Sequence, residues 1–503
     1  MKNHDHTNLQ HLPRRDFLKG VLAAGAFSIV TPQILIAAQK KDKTSGNASK
    51  KKSTKPAPKK YAGEKVKLAA IGIGNRGGDI LRSLDDTGLA TVVALCDSDI
   101  GAPHTLKSLE RFPNVPQFQD FRQMFDKMAG QIEAVVIGTP DHSHFPIAMQ
   151  AMALGKHVYV EKPMAHSFLQ AELMMAAAEK YKVVTQMGNQ GHSEGHYFQF
   201  KEWTKHGIIK NVTAITAFMN NERRWHDHAK INKFRRIYST LSDYLPEQPV
   251  PGTLDWNVWL ATAKELRYNV GYTHCEWRSW YEFGNGVIGD WGLHIFDVAH
   301  EFLDLGLPAE IDPIKLEGHN NFVFPQATTL AYRFPRRGDK PPLTLTWYDG
   351  LNNLPPLPDD MGELVGEADI PPPTTGAIEG IKPGKVIYGE GLTFKGGSHG
   401  STLKIIPDSK AKDMASSLPR VPESPSNHFA NFLLACKGAE KTRSPFSIAA
   451  PLSQVMSLGV IAQRLNAKLT FDRATKKITN NKRANEMLAG VPPRKGWEQY
   501  YKL

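Results

Sequence analysis

A chain of 503 residues with 41% hydrophobic content can bury a large core, and ordinary domain sizes predict two domains with appendages. The net charge of +12 is concentrated at the front, because residues 1–60 hold thirteen Lys or Arg and three Asp; the rest of the chain carries only +2. Because the chain after residue 60 is nearly neutral, its composition does not indicate nucleic-acid binding. Three widely separated cysteines, without any zinc-type spacing, exclude a disulfide framework.

The first segment has the pattern of an export signal. Arg14 and Arg15 stand before Asp16, and an apolar run follows from Gly20 to Ala38. This resembles a twin-arginine signal, which implies that the twin-arginine machinery exports the folded protein to the periplasm. Small and polar residues make the run weakly hydrophobic for a permanent span of about 20 residues. Residues 1–38 are therefore predicted to be a leader, with a retained membrane anchor as the alternative.

Residues 39–64 are rich in Lys, Pro and Ser and predict a flexible linker. From Lys65 onward, short apolar strands alternate with helical patterns. This alternation predicts a parallel sheet with helices on both faces, in a dinucleotide-binding domain over 65–187. The predicted strands are Val66–Ile71, Ala90–Cys96, Ala134–Ile137, His157–Val160 and Val183–Gln186, and the clearest helices are Phe145–Leu154 and Ser167–Tyr181.

The pattern changes in the second predicted domain, 188–503. Alternating segments at Val212–Met219 and Thr328–Phe334 favour an antiparallel sheet. Residues 352–384 are rich in Pro and Gly and predict a long irregular insertion. Helical spacing returns at His428–Cys436 and Pro451–Leu465.

A glycine-rich turn follows the first strand and opens a helix. Its glycines allow a tight turn, close approach of the backbone to a pyrophosphate and close helix packing, and the phosphates are expected at the helix N-terminus. Asp97 ends the second strand, where a carboxylate binds ribose hydroxyls and favours NAD; the nearby Arg76 keeps NADP open. The residues of this turn predicted to bind the cofactor are Gly72, Gly74, Asn75, Arg76 and Gly77.

Four further motifs follow along the chain: Gly138-Thr139-Pro140-Asp141-His142-Ser143-His144, Glu161-Lys162-Pro163, Gly289-Asp290-Trp291-Gly292-Leu293-His294 and Asn427-His428-Phe429-Ala430-Asn431-Phe432. With these motifs the chain resembles, from about Lys65 to the C-terminus, the superfamily of glucose-fructose oxidoreductase, inositol dehydrogenase and MocA. The resemblance implies an α/β protein: an N-terminal Rossmann domain, then a C-terminal α/β domain whose open, mainly antiparallel sheet faces the cofactor and supports a homo-oligomer, either dimer or tetramer. It also implies cofactor contacts from Thr139, Pro140, His144, Glu161 and Lys162.

The same resemblance supplies the catalytic hypothesis. Lys162 follows a strand at the carboxyl edge of the sheet, where a partly desolvated ammonium can polarise a substrate oxygen. Asp290 and His294 are four residues apart and share a face if the segment is helical. An imidazole beside a carboxylate can accept a proton near neutral pH. We therefore expect His294 to take the proton of a sugar hydroxyl while Lys162 and Asp290 assist, as the resemblance implies.

Other polar and aromatic residues have two interpretations each. Asp141, His142 and His144 suggest a metal site or a helix cap, and we predict no metal. His192 either faces the pocket as a substrate contact or hydrogen-bonds within its loop. Aromatic and polar side chains before Asp290 suit stacking on a sugar ring, although aromatic core packing accounts equally for about half of the rings. The substrate contacts predicted in this stretch are Trp277, Arg278 and Tyr281.

The resulting functional prediction is an exported NAD(P)-dependent oxidoreductase acting on a small-molecule carbohydrate. Because no free cofactor pool exists outside the cytoplasm, the dinucleotide is expected to be tightly bound and recycled within each catalytic cycle. Redox-assisted glycosidase chemistry needs the same cofactor, base and pocket and is an alternative. A non-catalytic sugar-binding protein is the third hypothesis.

Overall fold

The structure, a computed structural model, describes residues 63–219, 241, 243–273, 275–350, 353–361 and 382–503. All of these residues belong to one compact unit that spans residues 61–503. The predicted leader (1–38), nearly all of the predicted linker (39–64) and most of the predicted insertion (352–384) lie outside the described ranges.

Six parallel strands form the first sheet in the order β3-β2-β1-β4-β5-β6, which confirms the predicted Rossmann domain. The strand order reverses between β1 and β4, and ligands of such sheets bind outside the carboxyl ends at this point. The strands are β1 (Val66–Ile71), β2 (Ala90–Cys96), β3 (Gln117–Phe118), β4 (Ala134–Ile137), β5 (His157–Val160) and β6 (Thr185–Met187). The helices are α1 (Asn75–Asp85), α2 (Leu106–Arg111), α3 (Phe121–Met128), α4 (Asp141–Ala153) and α5 (Phe168–Tyr181).

Burial on both faces explains why these strands are apolar throughout. All four residues of β4 are buried, as expected for a strand covered by helices on both sides. Helix α5 begins where Ser167 accepts a hydrogen bond from the backbone N–H of Gln170, a typical N-cap. Helix α4 begins four residues before the predicted start, directly after Pro140, and so includes two histidines that the prediction left in a turn.

Nine strands form the second sheet in the order β13-β12-β11-β7-β10-β9-β8-β14-β15. Only β7 and β10 pair in parallel among these neighbours, so the sheet is mixed and mostly antiparallel, which confirms the predicted fold class. The strands are β7 (Ala214–Met219), β8 (Glu310–Glu317), β9 (Ala327–Phe334), β10 (Leu343–Asp349), β11 (Gly384–Tyr388), β12 (Thr393–Gly397), β13 (Lys404–Ile406), β14 (Leu469–Asp472) and β15 (Lys477–Ile478).

The helices of the second half are α6 (Gly195–Lys205), α7 (Trp256–Leu260), α8 (Leu293–Ile295), α9 (Asp297–Phe302), α10 (Asp408–Met414), α11 (His428–Cys436), α12 (Phe446–Leu465) and α13 (Lys482–Met487). Three of them pack back onto helices of the first domain: α7 onto α4, α11 onto α1 and α12 onto α5. Phe432 of α11 lies in the Rossmann core with Leu68 and Tyr159. Helix α12 is long and apolar enough to cross a membrane, but 78% of its most apolar window is buried inside the protein. It therefore serves as a core helix, and the two sheets share one framework.

Candidate active site

The glycine turn lies at the carboxyl end of β1 and is too tightly packed for larger residues. Gly72 has φ +79, and a Cβ there would stand 2.6 Å from the backbone N of Thr139, in the loop after β4. A Cβ on Gly77 would stand 2.0 Å from the carbonyl oxygen of Gly72. A Cβ on Gly74 would meet the ring of His104 at 2.1 Å. The turn therefore depends on glycine at Gly72 and Gly77, where the contacts are with backbone atoms, and it brings the β1 and β4 loops into contact.

The residues around this turn fit a dinucleotide. Helix α1 begins at Asn75, whose N–H donates to the carbonyl of His104 (3.4 Å), and no described side chain caps the helix. The N–H groups that follow can face a phosphate. Asp97 accepts hydrogen bonds from the backbone N–H of Ile73 (2.9 Å) and Asp99 (3.0 Å), and burial raises the pKa of its carboxyl. The Oγ1 atom of Thr139 is buried, and no described residue hydrogen-bonds to it, as expected of a hydroxyl reserved for a ligand. Arg76 is exposed on the first turn of the helix.

Two residues predicted to contact the cofactor mainly hold loops together. The ring nitrogens of His144 lie 2.9 Å from the carbonyl oxygen of Pro163 and 2.8 Å from that of Thr139, so the side chain is already engaged. His144 thus ties the β4 loop to the Lys162-Pro163 turn, and its contact with the cofactor stays a prediction. Glu161 is buried, accepts a 3.2 Å hydrogen bond from Gln190 and fills the space beside Gly188. Pro140 lies directly before α4 and is half-buried.

Lys162 and Asp290 form an ion pair although 128 residues separate them. The ammonium Nζ donates to the carboxylate Oδ1 and also to the backbone carbonyl of Asp290, at 2.9 Å. Their side chains are only 12% and 15% exposed. Arg278 adds a second cation, with Nε 4.0 Å from the same carboxylate oxygen. The carboxyl edge of the first sheet therefore receives a largely desolvated charge cluster from the second domain.

His294 lies one helical turn after Asp290, because a π-helical turn (Ile288–Gly292) runs directly into α8. The sequence analysis did not identify its partner, His399. The two imidazole rings stack with centroids 4.1 Å apart and planes 16° apart, and the backbone N–H of His399 donates to the carbonyl of His294 at 2.9 Å. His399 has φ +53, an unusual conformation for a residue with a side chain. Its position in the glycine-rich sequence Gly396-Gly397-Ser398-His399-Gly400 was the available signal.

His192 is not on an open pocket surface, and this geometry gives no support to its prediction as a substrate contact. The side chain is fully buried, with Nε2 3.2 Å from Asp297 Oδ2 and Nδ1 3.4 Å from Glu301 Oε2. Nδ1 also lies 3.1 Å from the carbonyl oxygen of Arg443. Burial alone lowers the pKa of His192, but the two carboxylates outweigh it and raise the pKa above its ordinary value. The alternative interpretation, a hydrogen-bonding residue inside the protein, fits this geometry.

Two of the three predicted sugar contacts belong to the aromatic core. Trp277 is 8% exposed and packs with Trp280 and Phe283. Tyr281 is 2% exposed, and burial raises the pKa of its phenol. Arg278, whose guanidinium lies 4.1 Å from the centre of the Trp277 ring, is the most accessible of the three at 22% of its side chain. The aromatic packing alternative thus fits the two rings, and Arg278 is the most exposed of the three predicted contacts.

His142 and Asp141 connect the start of α4 to the second domain. The ring of His142 lies 2.7 Å (Nε2) from the carbonyl oxygen of Trp259 and 3.3 Å (Nδ1) from that of Phe283. Burial lowers its pKa to about 3, so the ring is neutral at physiological pH. Asp141 accepts two hydrogen bonds from Asn285, at 3.1 and 3.0 Å. Both side chains act between the domains, and neither caps α4, whose N-cap is Pro140.

Comparison with known proteins identifies both halves of the chain. Residues 66–189 match the NAD-binding Rossmann fold of the Gfo/Idh/MocA oxidoreductase family, and residues 230–327 match the C-terminal alpha/beta domain of the same family. The chain is 30% identical over 234 residues to an alpha-N-acetylgalactosaminidase from Shewanella oneidensis, covering 43% of this chain and 48% of the relative. It is 27% identical over 257 residues to a glycosyl hydrolase family 109 protein from Shewanella baltica, covering 46% and 52%.

The chain thus spans about half the length of the curated relatives it matches. A solved structure with the same fold is the WlbA dehydrogenase from Bordetella pertussis, in complex with NADH and UDP-GlcNAcA. It superposes with a TM-score of 0.52 at 14% identity, covering 81% of this chain and 99% of that chain. Since both family domains occur in order and the two-domain fold agrees with them, the chain belongs to the Gfo/Idh/MocA oxidoreductase family.

Proposed function

We propose that this protein oxidises or reduces a CH–OH group of a sugar by hydride transfer with a nicotinamide dinucleotide. The observation that carries the proposal is the pairing of Lys162 with Asp290, one helical turn before His294. Lys162 follows β5, a strand on the nicotinamide side of the switch point between β1 and β4. Acid–base groups and the predicted cofactor edge therefore meet in one place.

The chemistry assigns one task to each residue. A bound dinucleotide supplies the hydride acceptor or donor. During oxidation the sugar carbon loses its hydrogen with the bonding electron pair, the hydroxyl proton moves to the imidazole of His294, and a carbonyl forms. The ammonium of Lys162 polarises the substrate oxygen, and Asp290 orients that ammonium. Because the side chains of Lys162 and Asp290 are nearly buried, their charges act with little screening by water.

We propose NAD as the cofactor and tight retention of it. Asp97 stands where a 2'-phosphate would meet a negative charge, which favours NAD over NADP. The predicted export of the folded protein supports retention, since a cofactor lost outside the cytoplasm cannot be replaced. Mass spectrometry of the small molecule released on denaturation tests this proposal, and a protein that binds neither dinucleotide would contradict it.

Sugar-dependent absorbance change at the reduced-nicotinamide band tests the reaction itself. His294→Ala is expected to bind dinucleotide and sugar and to lose at least about 100-fold in turnover, since it removes the general base. His206→Ala is the matched control, because His206 directly follows α6 and its side chain is 48% exposed. If the wild-type protein binds sugars but turns over none in either cofactor state, the non-catalytic hypothesis is preferred.

Glycoside hydrolysis with transient oxidation is the second candidate, and the glycosidase names of two relatives favour it. Oxidation of a sugar hydroxyl acidifies a neighbouring C–H, which permits loss of the aglycone; water then adds and the hydride returns. The net reaction is hydrolysis without net redox change. Release of nitrophenol from nitrophenyl glycosides at a constant NAD to NADH ratio would support this candidate, whereas accumulation of a sugar lactone or polyol would support net oxidoreduction.

We also propose export by the twin-arginine route to the periplasm and assembly into a dimer or tetramer. The arginine pair Arg14-Arg15 before an apolar run supports export. Cell fractionation of the wild-type chain and of an Arg14→Lys, Arg15→Lys variant tests it, with cytoplasmic retention of the variant as the expected result. Light scattering of the exported protein measures the oligomeric state.

A further inference from the structure

A short segment of the second domain, Thr253–Thr262, crosses the first domain at the predicted cofactor edge, and we call it the strap. It contains α7 and belongs to an aromatic cluster of the second domain with Leu254, Trp259 and Leu260. No sequence motif marks this segment. Its contacts with the loops after β2 and β4 give it a role toward the dinucleotide.

One end of the strap is fastened beside Asp97. The backbone N–H of Asp255 donates to the carbonyl of Ser98 at 2.7 Å. The hydroxyl of Thr253 donates to the carboxylate of Asp99 at 2.6 Å. Gln119 joins the two segments by donating to the carbonyls of both Ser98 (3.1 Å) and Thr253 (2.7 Å). The strap is thus hydrogen-bonded to the two residues that directly follow the predicted ribose-binding carboxylate.

The other end is fastened at the start of α4. The ring of His142 lies 2.7 Å from the carbonyl oxygen of Trp259 and packs against its indole with ring centroids 4.8 Å apart. The hydroxyl of Thr262 donates to the backbone carbonyl of His142 at 3.4 Å. Because β2 and β4 flank β1, their ends are about 10 Å apart. The strap therefore bridges the loops on either side of the strand that carries the glycine turn.

The C-terminal tail, residues 494–503, contacts the strap through Arg494. Arg494 donates to the carbonyls of Asn257 (2.7 Å) and Ala261 (2.8 Å), at the C-terminal end of α7, where a cation stabilises the helix. Its side chain is only 11% exposed. Three residues later, Trp497 is buried against Phe121 of α3. The tail therefore links the strap to the core of the Rossmann domain.

We propose that the strap is part of the dinucleotide site: it forms the outer wall of the adenosine half and sets how slowly the cofactor leaves. This inference rests on the proposed function, because it requires a bound dinucleotide. A dinucleotide bound at the carboxyl edge of the first sheet would have Asp97 on one side. The strap lies next to it, because it is hydrogen-bonded to the two residues that follow Asp97. Its departure requires the strap to move, which breaks hydrogen bonds at Ser98, Asp99 or His142. The second domain thereby retains a cofactor that the first domain binds.

The test uses the full-length protein loaded with NADH, with dissociation followed by nicotinamide fluorescence after addition of excess NAD. Thr253→Val removes one fastening hydrogen bond from an exposed residue and is expected to speed dissociation about three- to tenfold. Arg494→Ala removes the contact of the C-terminal tail and is expected to have a larger effect. Arg267→Ala is the matched control, since Arg267 lies beyond the strap with its side chain 79% exposed, and its rate should equal that of the wild type.

The outcomes separate this inference from the proposed function. Faster release from Thr253→Val, with an unchanged unfolding midpoint in the dinucleotide-free form, supports the strap even if Arg494→Ala fails to fold. Rates within twofold of the wild type for Thr253→Val and for a folded Arg494→Ala protein overturn the strap and leave the proposed function standing. A wild-type protein that binds no dinucleotide overturns both.

Discussion

Replacing the buried His192 by alanine is expected to reduce stability and to leave sugar binding unchanged. The substitution removes the cation beside Asp297, whose side chain is 1% exposed. Breaking a buried ion pair typically costs about 3–5 kcal/mol. Asp297 keeps hydrogen bonds from the Asn189 amide (3.3 Å) and from the backbone N–H of Val298 (2.8 Å). The expected loss is therefore at the lower end, about 3 kcal/mol in the free energy of unfolding.

The effect should depend on pH in a defined direction. Because the pKa of His192 is raised in the folded protein, its proton-linked stabilisation is complete below the ordinary value of about 6.5 and is lost as pH rises through the raised value. The pKa of Asp297 is lowered in the folded protein. Burial alone would raise this pKa, but the charge of His192 and its hydrogen bond outweigh burial. Its stabilisation is present above about pH 3.9 and is lost as pH falls through the lowered value. The difference between wild type and His192→Ala should therefore be largest between these limits, near pH 6.

Urea denaturation followed by tryptophan fluorescence at several pH values measures this difference. His206→Ala provides the control, because the exposed pair of His206 with Glu202 should contribute little. A His192→Ala protein of unchanged stability but weakened sugar binding would refute the reasoning and restore His192 as a substrate contact.

Three further substitutions test the site. Lys162→Met is expected to lower kcat at least about 100-fold in stopped-flow assays of nicotinamide reduction while sugar binding persists; unchanged kcat would remove Lys162 from the mechanism. Gly77→Ala places a methyl 2.0 Å from a backbone carbonyl oxygen and should abolish NADH binding in a fluorescence titration, whereas Gly130→Ala, with no heavy atom within 4 Å, should bind normally. His399→Ala removes the ring stacked on His294 and should lower kcat about tenfold with little change in KM. His399→Phe keeps a flat ring and should recover most of the lost kcat. Equal kcat values for the two variants would exclude stacking as the cause.

Local patterns in the sequence were sufficient for most of the first domain. Apolar runs such as Ala134–Ile137, set between helical patterns, predict buried strands. Glycine is required at Gly77 by a contact within the turn and at Gly72 by the loop after β4. Strand β3, by contrast, has only two residues and carries no periodic signal. The start of α4 was predicted four residues too late because its first turn is polar. Contacts from the second domain bury His142 in that turn, and no local pattern encodes them.

Long-range contacts decided the rest of the candidate site. Lys162 and Asp290 were predicted by resemblance to act together, but their hydrogen bond depends on a domain arrangement that no local pattern encodes. His192 and His144 look like ligand-binding histidines in the sequence, whereas in the structure tertiary contacts surround both rings within the protein. His399 reaches His294 only because the second sheet brings the end of β12 to α8. The sequence by itself thus determined which chemical groups are present and how the first sheet forms, and the packing of the second domain decided which of those groups face one another.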